Sequence, residues 1–98
     1  MTDTRSTALP AHLHDELVRA ARRRTDQLAA LPPFEGDLVA EAHRASVARI
    51  LEEISAALAR WEDGTYGRCT GCGRPIPVER LELRVWAAHC VRCAAPAR

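Results

Sequence analysis

Four cysteines in the 98-residue chain stand at spacings that suit a metal ion. Cys69-Thr-Gly-Cys72 and Cys90-Val-Arg-Cys93 are two Cys-x-x-Cys units with 17 residues between them. A two-residue gap lets one tight turn aim both sulfurs at a common point. The intervening segment is long enough to fold back and present the second pair. This is the pattern of a four-thiolate zinc site, a tetrahedron closed at about 2.3 Å per bond. Gly71 and Gly73 lie within and just after the first pair, where the backbone must turn tightly. The second pair has no glycine and is expected to open a short helix, limited by Pro96, whose first amides favour thiolate. Four thiolates leave no open coordination position, so one zinc per chain is expected, structural rather than catalytic. Four lost protons and one divalent ion move the formal charge from +1 to −1. Arg68, Arg74 and Arg92 stand beside the ligands to offset it.

Other uses of these thiols fit less well. A disulfide framework belongs to exported chains, and the longest apolar runs here, such as residues 28–31 and 85–88, are four residues. No signal-peptide core or spanning helix reads from such runs, so the expected address is the cytoplasm, with no membrane contact. A thioredoxin-like motif needs a single Cys-x-x-Cys in a βαβ context. Covalent haem needs His after the second Cys, where Gly73 and Ala94 stand. His89 beside Cys90 is read as a bystander, and His12 and His14 are too close in sequence for a second site. No phosphate-cradling glycine loop and no Ser–His–Asp set is visible, so an enzyme is not expected.

The elements that must carry the site are helical. Fourteen basic residues, all Arg, against thirteen acidic ones give a net charge of +1, so no global field points to nucleic acid or membrane. The 47 % hydrophobic content includes 18 Ala, and Leu, Ile, Val and Phe number 20, which leaves no deep substrate cavity. A first helix is predicted over about residues 11–31, with an imperfect stripe of Leu13, Leu17, Ala20, Arg24, Gln27 and Leu31. A second, over about 37–62, steps by four and three through His43, Val47, Ile50, Ile54, Ala57 and Trp61. That is the 3.5-residue seam of a coiled coil. Pro32-Pro33 cannot continue the first helix, so the two must reverse and pack antiparallel.

The organisation that follows is a flexible N-terminus over 1–10, a hairpin over 11–63 with its tip near 32–40, and a module over 64–98. The fold class is mainly α: an antiparallel helical hairpin, then a small four-Cys zinc finger with a short C-terminal helix. Phe34 at the tip either packs across the hairpin mouth or stays exposed. Gly64 suits the left-handed residue after the second helix, and Tyr66 is expected to pack back on Trp61. Ile76, Leu81, Leu83, Val85 and Trp86 are the large apolar residues available to the module.

From Ala57 onward the match becomes more specific than a zinc pattern. Ala57-Leu-Ala-Arg-Trp-Glu-Asp-Gly-Thr-Tyr-Gly-Arg-Cys69, then Cys72-Gly-Arg-Pro-Ile-Pro-Val-Glu-Arg-Leu81, then Cys90-Val-Arg-Cys93, resembles the DksA/TraR family of bacterial transcription regulators. The resemblance covers about residues 47–93 and includes the non-ligand positions Gly64, Tyr66, Gly67, Pro75, Ile76, Pro77, Arg80 and Leu81. It implies binding to RNA polymerase at the secondary channel, with the coiled-coil tip approaching the active centre and altering initiation, often together with the alarmone ppGpp. On that analogy Glu35, Asp37 and Glu41 are the working residues of the tip. The family's best-known tip motif is Asp-x-x-Asp-x-Ala, whereas this tip reads Glu35-Gly-Asp-Leu-Val-Ala-Glu41, with one Asp. Asp37 also fits a plain helix cap.

Two further readings stand beside the regulator. One is a small zinc module that contacts nucleic acid directly through Arg19, Arg22, Arg23 and Arg24; those four wrap around a helix, so sequence-specific DNA binding is not expected. The other is a redox sensor whose zinc thiolates are the switch.

Overall fold

The computed structural model describes residues 9–31 and 36–94. Helix α1 spans His12–Ala30 and α2 spans Leu38–Asp63. Two short helices follow, α3 over Val78–Leu83 and α4 over Val91–Ala94. The long helices differ from the predicted bounds by a residue at most ends, which is ordinary fraying. The predicted reversal at Pro32-Pro33, with Phe34 and Glu35, lies outside the described residues, as does Pro96.

The long helices pack antiparallel. Arg44 near the start of α2 donates through Nη2 to the carbonyl oxygen of Leu31, just past the end of α1, at 3.0 Å. At the opposite end the His14 ring lies 5.2 Å from that of Trp61. Asp37 caps α2, its carboxylate accepting from the backbone N–H groups of Val39 at 3.0 Å and Ala40 at 3.2 Å. Gly64 ends the helix in the left-handed conformation at φ 85°, where a side chain on Cβ is strained.

The seam holds from Val47 to the hairpin base and is open at its outermost step. Val47, Ile54 and Ala57 are buried and Ile50 is half-buried, while His43, which the period places on the seam, is exposed. The reason lies on α1. Leu13, Leu17 and Ala20 face α2, but the next positions are Arg24 and Gln27, which bond each other at 3.2 Å and remain half-buried. This polar pair interrupts the apolar stripe of α1, and no seam residue beyond Val47 toward the tip is buried. Full burial of a side chain such as Ile54 stabilises by about 1.5–3 kcal/mol.

One core runs through the hairpin base into the cysteine module. Leu13, Leu17, Ile54 and Ala57 pack with Tyr66, Ile76, Leu81 and Val85, and Leu9 packs on its edge. Tyr66 meets Trp61 at 5.0 Å between ring centres, as the sequence suggests, and its buried hydroxyl donates to the Val85 carbonyl at 2.8 Å. Leu83 departs from its expected place in this core: it is 89 % exposed. Two residues along a helix turn by roughly 200°, so α3 can bury Leu81 or Leu83 but not both. The molecule measures 55 × 36 × 20 Å.

Candidate metal centre

The first cysteine pair sits on a tight loop built by its own backbone. Arg68 and Pro75 pair across it in antiparallel fashion, Cys69 N–H donates to the Arg74 carbonyl at 2.8 Å, and Gly73 N–H donates back to the Cys69 carbonyl at 2.9 Å. Of the second pair, Cys90 precedes α4 and Cys93 lies within it, with Ala94 N–H on the Cys90 carbonyl at 2.9 Å. Thr70 N–H donates to the Ala88 carbonyl at 2.8 Å and ties the two halves together. A Cβ on Gly71 would stand 3.1 Å from the Cys93 sulfur, a contact tight enough that the sulfur would have to shift by a few tenths of an ångström.

The four sulfurs of Cys69, Cys72, Cys90 and Cys93 lie within 4.8 Å of one another, and none is in a disulfide. Cys72 Sγ and Cys90 Sγ are 3.7 Å apart. A tetrahedron with bonds of about 2.3 Å has edges of about 3.8 Å, so the set fits one zinc ion. Among the described residues this is the group of side chains close enough together to hold a metal.

The protons on this cluster are unevenly held. The Cys90 backbone N–H, followed by those of Gly71 and Cys72, brings the Cys69 thiol down to about 6. Cys90 is lowered too, first by the backbone N–H of Cys93. Cys93, facing the sulfurs of Cys69, Cys72 and Cys90, is pushed up to about 12. Amides favour the first thiolates and those thiolates resist the rest. A divalent cation removes that conflict, and with it all four can ionise.

Cys69 and Cys90 are buried, whereas Cys72 and Cys93 are exposed. Arg74 and Arg92 line the same shallow hollow as the exposed pair. Arg68 donates through Nη1 to the Gly73 carbonyl at 2.8 Å. His89 stands apart from the four sulfurs, its Nε2 at 3.1 Å from the Thr70 hydroxyl.

The acidic candidates are at the far end of the hairpin. Asp37 and Glu41 are exposed, one helical turn apart, beside the exposed Leu38 and Val39. Glu35 lies outside the described residues.

Two features were not read from the sequence. A cavity of about 310 Å³ between α2 and the cysteine module is lined by Glu53, Arg60, Arg80 and Arg84 among others. Within it Nε and Nη2 of Arg60 are buried without a hydrogen-bond partner. The second feature is Trp86, flanked by the guanidinium carbons of Arg24 at 5.8 Å and Arg84 at 6.0 Å from its ring centre. No periodicity announces either one, because both join residues far apart in the chain.

Residues 64–98 match the family model of the prokaryotic dksA/traR C4-type zinc finger. The RNA polymerase-binding transcription factor DksA of Caulobacter vibrioides is 44 % identical over 43 residues, which cover 44 % of this chain and 30 % of that protein. The matched stretch likewise spans 30 % and 28 % of two other curated relatives. Among solved structures, transcription factor DksA2 from Pseudomonas aeruginosa superposes with a TM-score of 0.59 at 29 % identity, covering 84 % of this chain and 77 % of its own. The RNA polymerase binding protein and transcriptional regulator Dks from Chlamydia trachomatis L2 gives 0.51 at 25 % identity, covering 81 % and 83 %.

Proposed function

The chain belongs to the DksA/TraR family of C4-type zinc-finger proteins, and from that premise we propose that it binds bacterial RNA polymerase at the secondary channel and modulates transcription initiation. The observation that carries the reading is the extent of the likeness. It takes in the hairpin as well as the finger, over 84 % of the chain. A zinc module of another trade would share the cysteine turns without the antiparallel helices.

The parts have separate tasks in this proposal. Cys69, Cys72, Cys90 and Cys93 hold one structural zinc, which fixes the module over 64–98 against the hairpin base. The hairpin over 11–63 carries the tip to the channel. Asp37 and Glu41, with Glu35, place negative charge near the polymerase active centre. The rod flanks and finger supply most of the contact surface. The protein works as a regulator rather than an enzyme, in the cytoplasm where the polymerase is. None of the described helices is long and apolar enough to cross a membrane.

The alarmone ppGpp is a co-ligand in this reading, at the polymerase interface. The cavity with Arg60, Arg80 and Arg84 supports it, since guanidinium forks match phosphate oxygens.

A pull-down of core RNA polymerase by the purified zinc-loaded protein tests the reading. Retention of the polymerase subunits is expected, with little affinity for duplex DNA even at low salt. Steep, salt-sensitive duplex binding without polymerase retention would transfer the assignment to the nucleic-acid module.

A further inference from the structure

We infer that the groove between α1 and α3, with Leu83 and Trp86 at its lip, is a docking surface for an acidic segment of RNA polymerase that carries an apolar side chain. This rests on the polymerase reading above and assigns it a specific surface, away from the hairpin tip and sharing only Trp86 with the arginine cavity.

The groove measures about 490 Å³ and lies between His12, Glu16, Arg23 and Arg24 of α1 and the segment from Leu81 to Trp86. Leu83 is 89 % exposed, the most exposed large apolar side chain among the described residues. Burying it against a partner is favourable, and nothing in its own chain does so. Trp86 is half-buried against the core, which fixes the ring without covering it. Arg24 and Arg84 flank that ring within cation–π distance, so their guanidinium groups are held in place rather than free in solvent. Trp and Arg, held in advance of binding, are the residue types that dominate interface energies.

Charge selects the partner. Of the two carboxylates of the groove, Glu16 pairs with Arg19, while Glu82 lies 3.4 Å from His12 Nε2, a contact that balances its charge only when the imidazole is protonated. Arg23 and Arg24 meet no carboxylate within contact distance among the described residues. With Arg19 counted, three arginines border the apolar patch against two carboxylates, so the groove carries a positive excess. Its complement is a segment with carboxylates beside an aliphatic or aromatic side chain.

Core RNA polymerase is titrated with fluorophore-labelled, zinc-loaded protein, and the affinity is compared with those of Leu83→Asp and Arg23→Glu. Both positions are exposed, so folding is expected to be preserved, and circular dichroism checks it. Each variant is expected to bind about tenfold more weakly, the loss that marks a truncated anchor or a reversed charge. The Arg23→Glu loss is expected to shrink as salt rises. In parallel, Leu83 is replaced by p-benzoylphenylalanine; a crosslink to a polymerase peptide containing Asp or Glu supports the assignment. Variants that bind within twofold of the unaltered protein overturn it while leaving polymerase binding intact. A crosslink to a second copy of the chain, or to a polymerase segment without acidic residues, overturns it as well. If the unaltered protein does not bind polymerase, the broader reading fails first and takes this surface with it.

Discussion

Asp37 can act through its shape or through its charge, and two substitutions tell these apart. As a cap it accepts from the N–H groups of Val39 and Ala40, donors that otherwise have no partner at the start of α2. Asn offers the same oxygen at the same reach and caps about as well, so Asp37→Asn should leave the fold within about 0.5 kcal/mol of the unaltered protein. Asp37→Ala removes both bonds, and losses of this kind are typically about 1 kcal/mol. In a domain of this size that corresponds to roughly 4–8 °C in melting temperature. Neither change touches the flanks or the finger, so polymerase affinity should stay nearly constant. The readout is the effect on initiation in a purified transcription assay, run beside thermal melting of each variant. If tip charge matters, Asp37→Asn loses regulatory effect while keeping its melting temperature. Glu35→Gln should lose less, because its longer side chain is less fixed. If Asn regulates like the unaltered protein and only Ala melts early, Asp37 is a cap and nothing more. The acidic tip mechanism would then have to be abandoned for this residue.

Zinc chelation should unfold about residues 65–95 while much of the hairpin stays helical, since the metal supplies much of the module's folding free energy; far-UV circular dichroism with metal analysis follows both, and complete loss of helix would show that the hairpin depends on the finger. Ile54→Ala, at a fully buried seam position, should cost about 2–5 kcal/mol in urea unfolding, and Ile50→Ala, half-buried, clearly less. Equal losses at the two positions would contradict the observed difference in their burial. Tyr66→Phe should cost about 1–3 kcal/mol because it leaves the buried Val85 carbonyl without its donor. Burial pushes the Tyr66 hydroxyl from 10.0 up to about 12, so the folded state holds that proton more tightly than the unfolded one. This contribution is complete below pH 10 and is lost as pH rises toward 12, a decline that Tyr66→Phe should remove.

Much of this arrangement is legible in the sequence because it is set locally. Each cysteine pair is enclosed by its own turn, Asp37 and Gly64 mark the ends of α2 within one residue, and a step of four and three locates Val47, Ile54 and Ala57. Tyr66 and Trp61 are five positions apart across a helix end, close enough to predict their contact. What sequence reasoning misses depends on orientation. Helix α3 has six residues, too few for a period to reveal which of Leu81 and Leu83 faces inward. The exposure of Cys72 and Cys93 depends on which side of the cysteine cluster rests on the core. His14, dismissed as a ligand, turns out to pack on Trp61, a contact made across the hairpin rather than along it. The Arg60 cavity and the Trp86 clasp join residues from separate segments, and no spacing rule reaches that far.

The joint at the hairpin base also has a mechanical consequence. Trp61 wedged between His14 and Tyr66, with the Tyr66 hydroxyl latched to Val85, is the fulcrum of a lever. The 26 residues of α2 make its arm roughly 39 Å long at about 1.5 Å per residue. A tilt of only about 5° at the fulcrum swings the far end by about 3 Å, comparable with the reach of a hydrogen bond. The aim of Asp37 is therefore set by the stiffness of an aromatic contact at the other end of the rod. A substitution that softens this joint can misdirect the tip without altering a single atom there.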